Sequence, residues 1–314
     1  LCSFVSNGDG ATYGGGAVSI STGIASFTDC LFDGNVTATI SGGGGAVTVL
    51  GAATVSLQRC GIYGCVAGSN GGGGILVKAG TVTVANSVID GCTSWIDGGA
   101  IRVNGGTAVV SGSTIVQNSV TNAASGGGAG ISVLAAGTSV VRNSIIWANT
   151  AAGAIGQLAQ VSVIAGGSFA IDWSCVQGLD GSLGGAGNTI LDPMLTSMLG
   201  SDGVKGTTDD NLRPMAQSPC VDGGGDAIVP PESSLDLDGL PRIADGDGDG
   251  VAIIDIGAYE RANPFDLTGD GAVGAADLAT LLGAWGTPGP AADLDGNGAV
   301  DGTDLALLLA AWTI

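Results

Sequence analysis

The sequence predicts a mainly β protein, a coil of stacked short strands followed by a small all-α module of two loop-helix units. Three observations carry that expectation. Glycine accounts for 60 of 314 residues and proline for only 9. A hexapeptide starting at residue 2 recurs at intervals of 26 to 31 residues, about 29 on average, as far as residue 174. A twelve-residue acidic loop leading into an apolar helix pattern occurs twice near the C-terminus, 27 residues apart. Collagen is excluded because glycine keeps no strict third-residue period. A solvated coil is excluded because 45% of residues are hydrophobic and the mean hydropathy is +0.45.

The first element of the repeat reads Cys2-Ser3-Phe4-Val5-Ser6-Asn7, Cys30-Leu31-Phe32-Asp33-Gly34-Asn35 and Cys60-Gly61-Ile62-Tyr63-Gly64-Cys65. It continues as Ser87-Val88-Ile89-Asp90-Gly91-Cys92, Ser113-Thr114-Ile115-Val116-Gln117-Asn118 and Ser144-Ile145-Ile146-Trp147-Ala148-Asn149, with a weaker copy from Ser174. A glycine run with an apolar alternation follows, as in Gly45-Ala46-Val47-Thr48-Val49, then an alternating strand such as Thr81-Val82-Thr83-Val84. Three period-2 strands per repeat, bounded by Gly, Asn and Asp, predict a solenoid of stacked three-strand turns over residues 1–180.

These GGA[IV] and FxxN repeats resemble the right-handed parallel β-helix family. Such a stack aligns equivalent residues about 4.8 Å apart. Phe4, Phe32, Ile62, Ile89, Ile115 and Ile146 would form an inward column, and Asn7, Asn35, Asn118 and Asn149 an amide ladder with Cys65 and Cys92 as two of its rungs. Val5, Asp33, Tyr63, Asp90, Val116, Trp147 and Gln177 would face outward. Asp33 and Asp90, two rungs and roughly 10 Å apart, are the only candidate catalytic acids, near the carboxyl separation of inverting glycosidases. Tyr63 and Trp147 are candidate sugar-stacking residues, while a plain solvated strand would carry the same side chains. The polygalacturonase-like branch of the family uses a histidine, and this chain has none.

Seven cysteines leave at least one thiol unpaired within the chain. Cys65 and Cys92, on adjacent rungs, could bridge or remain free. The strings around Ser174-Cys175-Val176, Ser218-Pro219-Cys220 and Asp255-Ile256-Gly257-Ala258-Tyr259-Glu260 resemble the choice-of-anchor Q region of secreted β-helix proteins. That resemblance implies a cap over residues 181–262 and favours Cys175 with Cys220 as a pair. Within it, Asp245, Asp247 and Asp249 alternate ahead of Gly250, the pattern of a calcium loop, with Asp255 as the candidate closing carboxylate. A flexible acidic loop is the other reading of the same residues.

The tandem loops lie in residues 263–314. Asp266, Thr268, Asp270 and Asp277 occupy positions 1, 3, 5 and 12 of the first, with Gly271 at the sharp turn and Ala272 offering its carbonyl at position 7. Asp293, Asp295, Asn297, Asp301 and Asp304 occupy positions 1, 3, 5, 9 and 12 of the second, with Ala299 at position 7. The odd positions aim oxygens inward and position 12 closes the sphere from the helix. The duplicated loop-helix, with Asp rather than Glu at position 12, resembles type I dockerin. That resemblance implies two bound Ca2+ ions and a cohesin-like protein partner. It places the recognition pairs at Ala275-Ala276 and Gly302-Thr303, with Leu, Ala and Trp of the helices expected mainly in the core.

The net charge of −20 is uneven: residues 1–180 carry seven acids and four bases, and residues 181–314 carry twenty-one acids and four bases. With no basic stripe, nucleic acid is not expected as a partner. No stretch reads as a membrane span, and an export signal is expected upstream of this fragment. The sequence therefore points to a non-catalytic, extracellular or cell-surface protein with a structural, adhesive or carbohydrate-associated role, tethered through its calcium module. The alternative is a polysaccharide lyase or glycoside hydrolase acting on a polysaccharide.

Overall fold

A computed structural model describes the chain except residues 1, 10–13, 38–42, 70, 123–126, 165, 229–233, 270, 290 and 313–314. Its main body is a parallel β-solenoid. One seven-stranded sheet runs through Cys2–Val5, Cys30–Asp33, Gly61–Tyr63, Val88–Asp90, Thr114–Val116, Ile145–Trp147 and Cys175–Val176. Three six-stranded parallel sheets form its other walls. The expected register holds, with Phe4 on Phe32, Phe32 on Ile62, Ile62 on Ile89, Ile89 on Ile115 and Ile115 on Ile146. These side chains are sealed in the core from Phe32 onward, and Phe4 stacks on Phe32 with ring centroids 4.8 Å apart.

Each coil has four strands rather than three. The extra strand is two residues long, as in Val36–Thr37, Val66–Ala67 and Thr93–Ser94, too short for hydrophobic periodicity to reveal. It exists because the residue before each ladder position adopts positive φ and bends the chain: Ser6, Gly34, Gly64, Gly91, Gln117 and Ala148.

At this bend the amide ladder forms as expected. Asn118 Nδ2 donates to Asn149 Oδ1 at 2.9 Å and to the Ile89 and Val116 carbonyls, and Asn7 Nδ2 donates to Asn35 Oδ1. Cys65 and Cys92 fill the intermediate rungs as buried free thiols. The last rung is Gln160, from the short helix α1 (Gln157–Gln160), whose Oε1 accepts from Asn149 Nδ2 at 2.8 Å. A second ladder lines the opposite end of the long sheet. The backbone N–H groups of Cys60, Ser87, Ser113 and Ser144 donate to the hydroxyls of Ser87, Ser113, Ser144 and Ser174. Both ladders satisfy buried backbone donors at bends where sheet pairing breaks.

Past the solenoid the chain folds back over the seven-stranded sheet. An antiparallel hairpin pairs Leu195–Ser197 with Asn211–Pro214, and a second pairs Ile243–Ala244 with Ile253–Ile254. Leu195, Leu212, Cys220, Ile256, Ala258 and Tyr259 pack on Tyr63, Val88, Val116, Ile145 and Cys175. Polar ties fasten the wrap: Asn86 Nδ2 donates to the Leu235 carbonyl at 2.6 Å, and Asn143 exchanges hydrogen bonds with Gly225. Gly91 and Gly206 meet so closely that a Cβ on Gly206 would lie 2.7 Å from the Gly91 Cα.

The C-terminal part is two loop-helix units, α2 (Ala275–Gly283) and α3 (Gly302–Ala310). Val273, Leu281, Ala292, Val300 and Leu308 make its small core. No helix among the described residues is long and apolar enough to cross a membrane.

Candidate functional site

The register places Asp33, Tyr63, Asp90, Val116 and Trp147 in one outward column. That column does not face solvent. The wrap covers it, leaving Asp90 fully buried, Tyr63 buried and Trp147 half-buried against the cover. The expectation of an open carboxyl pair at Asp33 and Asp90, or of a solvated strand, is corrected on this point. Outward from the sheet is inward to a second core. Tyr63 lies against Tyr259, over whose ring the Arg213 guanidinium stands 4.4 Å from the centroid. Buried in this way, Tyr63 offers little ring face to a sugar, and the same burial pushes its phenol up. Cys175 and Cys220 meet in the same core as free thiols within hydrogen-bonding reach of each other.

The middle acidic loop differs from its expected ligand set. Asp245 and Asp247 are joined by Asp222, and carboxylate oxygens of these three lie within 4.8 Å of one another. Asp245 accepts from the Gly248, Asp249 and Gly250 amides, and Asp249 Oδ1 from the Val251 amide. Asp255, the expected closing carboxylate, is fully buried instead, with Oδ1 taken by the Asp222 amide and Oδ2 by the Arg261 amide. Burial pushes Asp255 up to about 7 against those two donors. Beside it the buried Arg242 guanidinium donates to the Gly257 and Asp255 carbonyls and stands 3.6 Å from Glu260. Asp255 therefore belongs to a structural knot. No sequence spacing marks Asp222, which lies 23 residues before Asp245.

The C-terminal loops share one hydrogen-bond plan. Asp266 Oδ2 accepts from the Gly271 amide and Asp277 Oδ2 from the Gly274 amide, both at 2.7 Å. Their equivalents are Asp293 Oδ2 with the Gly298 amide at 2.8 Å and Asp304 Oδ2 with the Asp301 amide at 2.7 Å. Asp277 Oδ1 also accepts from the Thr268 amide and hydroxyl, and Asp304 Oδ1 from the Leu294 and Asp295 amides. Asp277 and Asp304 are shielded at the first turn of each helix. Burial opposes ionisation of Asp277, but the Gly274 and Thr268 donors outweigh it and hold its carboxyl below the ordinary range. The Asp301 amide, ahead of those of Asp295 and Leu294, does the same for Asp304.

Carboxylate oxygens of Asp293, Asp295 and Asp304 lie within 4.8 Å of one another. Asn297 accepts from the Ala299 amide and Asp301 from the Thr303 amide, while Asp270 lies outside the described residues. Residues 262–314 contain seven aspartates and no lysine or arginine, so no side chain of the module can neutralise the cage. Hard oxygen donors clustered in short glycine-turned loops are the donor set that suits calcium.

The sequence expectation that the Leu and Trp side chains of the helices lie mainly in the core holds only in part. Leu281 and Leu308 are buried, but Leu282 and Trp285 and their equivalents Leu309 and Trp312 are exposed. A search of family models, of curated proteins and of solved structures found no match to this chain.

Proposed function

We propose that this chain is a non-catalytic extracellular or cell-surface protein. In this reading a right-handed parallel β-helix is a stiff structural, adhesive or carbohydrate-associated body, residues 181–262 are its choice-of-anchor Q-like cover, and residues 263–314 are a dockerin-like module. The observation that carries the reading is the shared hydrogen-bond plan of two acidic loops in a stretch with no basic residue. Seven aspartates around a core of five buried apolar side chains repel one another unless cations enter. Asp266, Thr268, Asp277 and the Ala272 carbonyl would hold one Ca2+, with Asp270 completing the set. Asp293, Asp295, Asn297, the Ala299 carbonyl, Asp301 and Asp304 would hold the second. Asp222, Asp245 and Asp247, with Asp249, are candidates for a third.

Bound calcium would supply charge neutralisation and fix each loop against its helix. The exposed Leu282, Trp285, Leu309 and Trp312, repeated with the duplication, supply an apolar surface for a cohesin-like protein partner. The alternative of polysaccharide cleavage draws no support from Asp33 and Asp90, because Asp90 is buried beneath the wrap.

Calcium titration of the full chain by isothermal calorimetry and far-ultraviolet circular dichroism tests the reading. Two or more ions should bind, helical signal should rise, and Asp304→Ala should remove one of the binding events. A chain with no heat of binding and a helical signal indifferent to a chelator would overturn it.

A further inference from the structure

The wrap meets the solenoid at one point where two buried carboxyl oxygens have no donor. Asp90, at the end of strand Val88–Asp90, accepts from Gln117 Nε2 at 3.1 Å through Oδ1. Asp210, on the wrap, accepts from the Gly206 amide at 2.7 Å and the Thr207 amide at 3.2 Å through Oδ2. Asp90 Oδ2 and Asp210 Oδ1 have no partner among the described residues, although the two side chains lie within hydrogen-bonding reach of each other. Two buried carboxylates at such range do not both ionise. We propose that Asp90 and Asp210 share a single proton, which latches residues 198–210 onto the solenoid and makes that docking pH-dependent.

The surrounding groups fit one negative charge. Lys205, on the wrap, donates a hydrogen bond from its ammonium to the Gln117 carbonyl at 3.0 Å and supplies a nearby positive charge. Tyr63 on the preceding rung and the Cys92 thiol two residues along are both pushed up by burial, so neither adds charge at neutral pH. Gln117 on the following rung is neutral and also donates to the Met198 carbonyl at 2.5 Å. Asp210 has two amide donors and Asp90 one side-chain donor, so the proton rests on Asp90 Oδ2 and is donated to Asp210 Oδ1. Among the described residues, neither Asp90 nor Asp210 belongs to a cluster of three or more side chains that could ligate a metal ion.

Burial raises Asp90 to about 9, well above the ordinary carboxyl value of about 3.9. The docked state therefore holds a proton that the released state gives up. Docking is strongest below about pH 4 and weakens by up to about tenfold per pH unit until about pH 9.

Hydrogen exchange of the Gly206 and Thr207 amides in the full chain, corrected for intrinsic rates across that pH window, tests the latch. Protection should fall as pH rises in the natural chain. It should stay high and flat in Asp90→Asn, whose amide donates where the acid does. Infrared difference spectra at neutral pH should show a protonated carboxyl band that Asp90→Asn removes. Protection indifferent to pH in the natural chain would overturn the proposal. So would an unchanged carboxyl band, or protection that a chelator abolishes at neutral pH.

Discussion

The solenoid and the C-terminal module are both built by repetition, yet repetition serves opposite ends in them. In the solenoid each copy satisfies its neighbour: Ile89 sits on Ile62 and under Ile115, and Asn118 bonds to Asn149. In the module the two copies place like charges in like positions, Asp277 beside its own loop and Asp304 beside its own. Stacked apolar and amide columns become more stable as copies are added, whereas duplicated carboxylates become less stable until an outside cation enters. The same sequence device therefore yields a body that stands alone and, on the proposed function, a tail whose order depends on a bound cation.

The largest test of that contrast is a core truncation in each region. Ile89→Ala, at a fully sealed position, should cost about 2–5 kcal/mol with or without calcium, read from the urea midpoint of the solenoid transition. Leu308→Ala should cost a similar amount in calcium but nothing measurable in chelator, where the module has little structure left to lose. Equal costs for Leu308→Ala in both conditions would erase the distinction.

A smaller effect sharpens the account of the ladder. Asn118→Ala strands the buried Cys92 amide and removes one of the two donors to the Asn149 carboxamide oxygen, which keeps the backbone amide of residue 118. The loss should be about 1–3 kcal/mol, with hydrogen exchange accelerated first at Cys92 and its flanking rungs. If exchange rose uniformly through the solenoid, the ladder would not be a local restraint.

These ladders also mark how far the sequence can be read. The inward column, the Asn7–Asn35 and Asn118–Asn149 rungs and both C-terminal loops follow from periods of about 29 and 27 residues, because each contact joins equivalent positions. The serine ladder is equally periodic, in the residue that opens each copy from Ser87 to Ser174, but its hydroxyls look like ordinary turn residues until the bend is known. The cover was not legible. Gln117 meets Met198 across 81 residues and Asn86 meets Leu235 across 149, and the wrap has no period to betray its partner. For that reason Asp90 and Tyr63 looked outward-facing in sequence and are buried in the fold. Asp222 replaces Asp255 beside Asp245 on the same principle: a contact made through tertiary folding leaves no spacing behind.

The smallest effect on stability should come from the tail's exposed apolar side chains, and this is what makes them informative. Trp285 is 46% exposed and Trp312 36% exposed, so truncating either removes ring contacts at the surface but opens no sealed cavity. Trp285→Ala and Trp312→Ala should therefore lower the calcium-loaded melting temperature less than a truncation in the module core does. Leu281→Ala, one position before the exposed Leu282 on the same helix, should lower it clearly, because Leu281 is sealed in the module core. If exposure of the two tryptophans serves a partner, the double variant loses binding while keeping calcium affinity and helical signal. If instead the double variant loses calcium or helix, the rings are closing the module, and the repeat builds its interior where the fold places a surface.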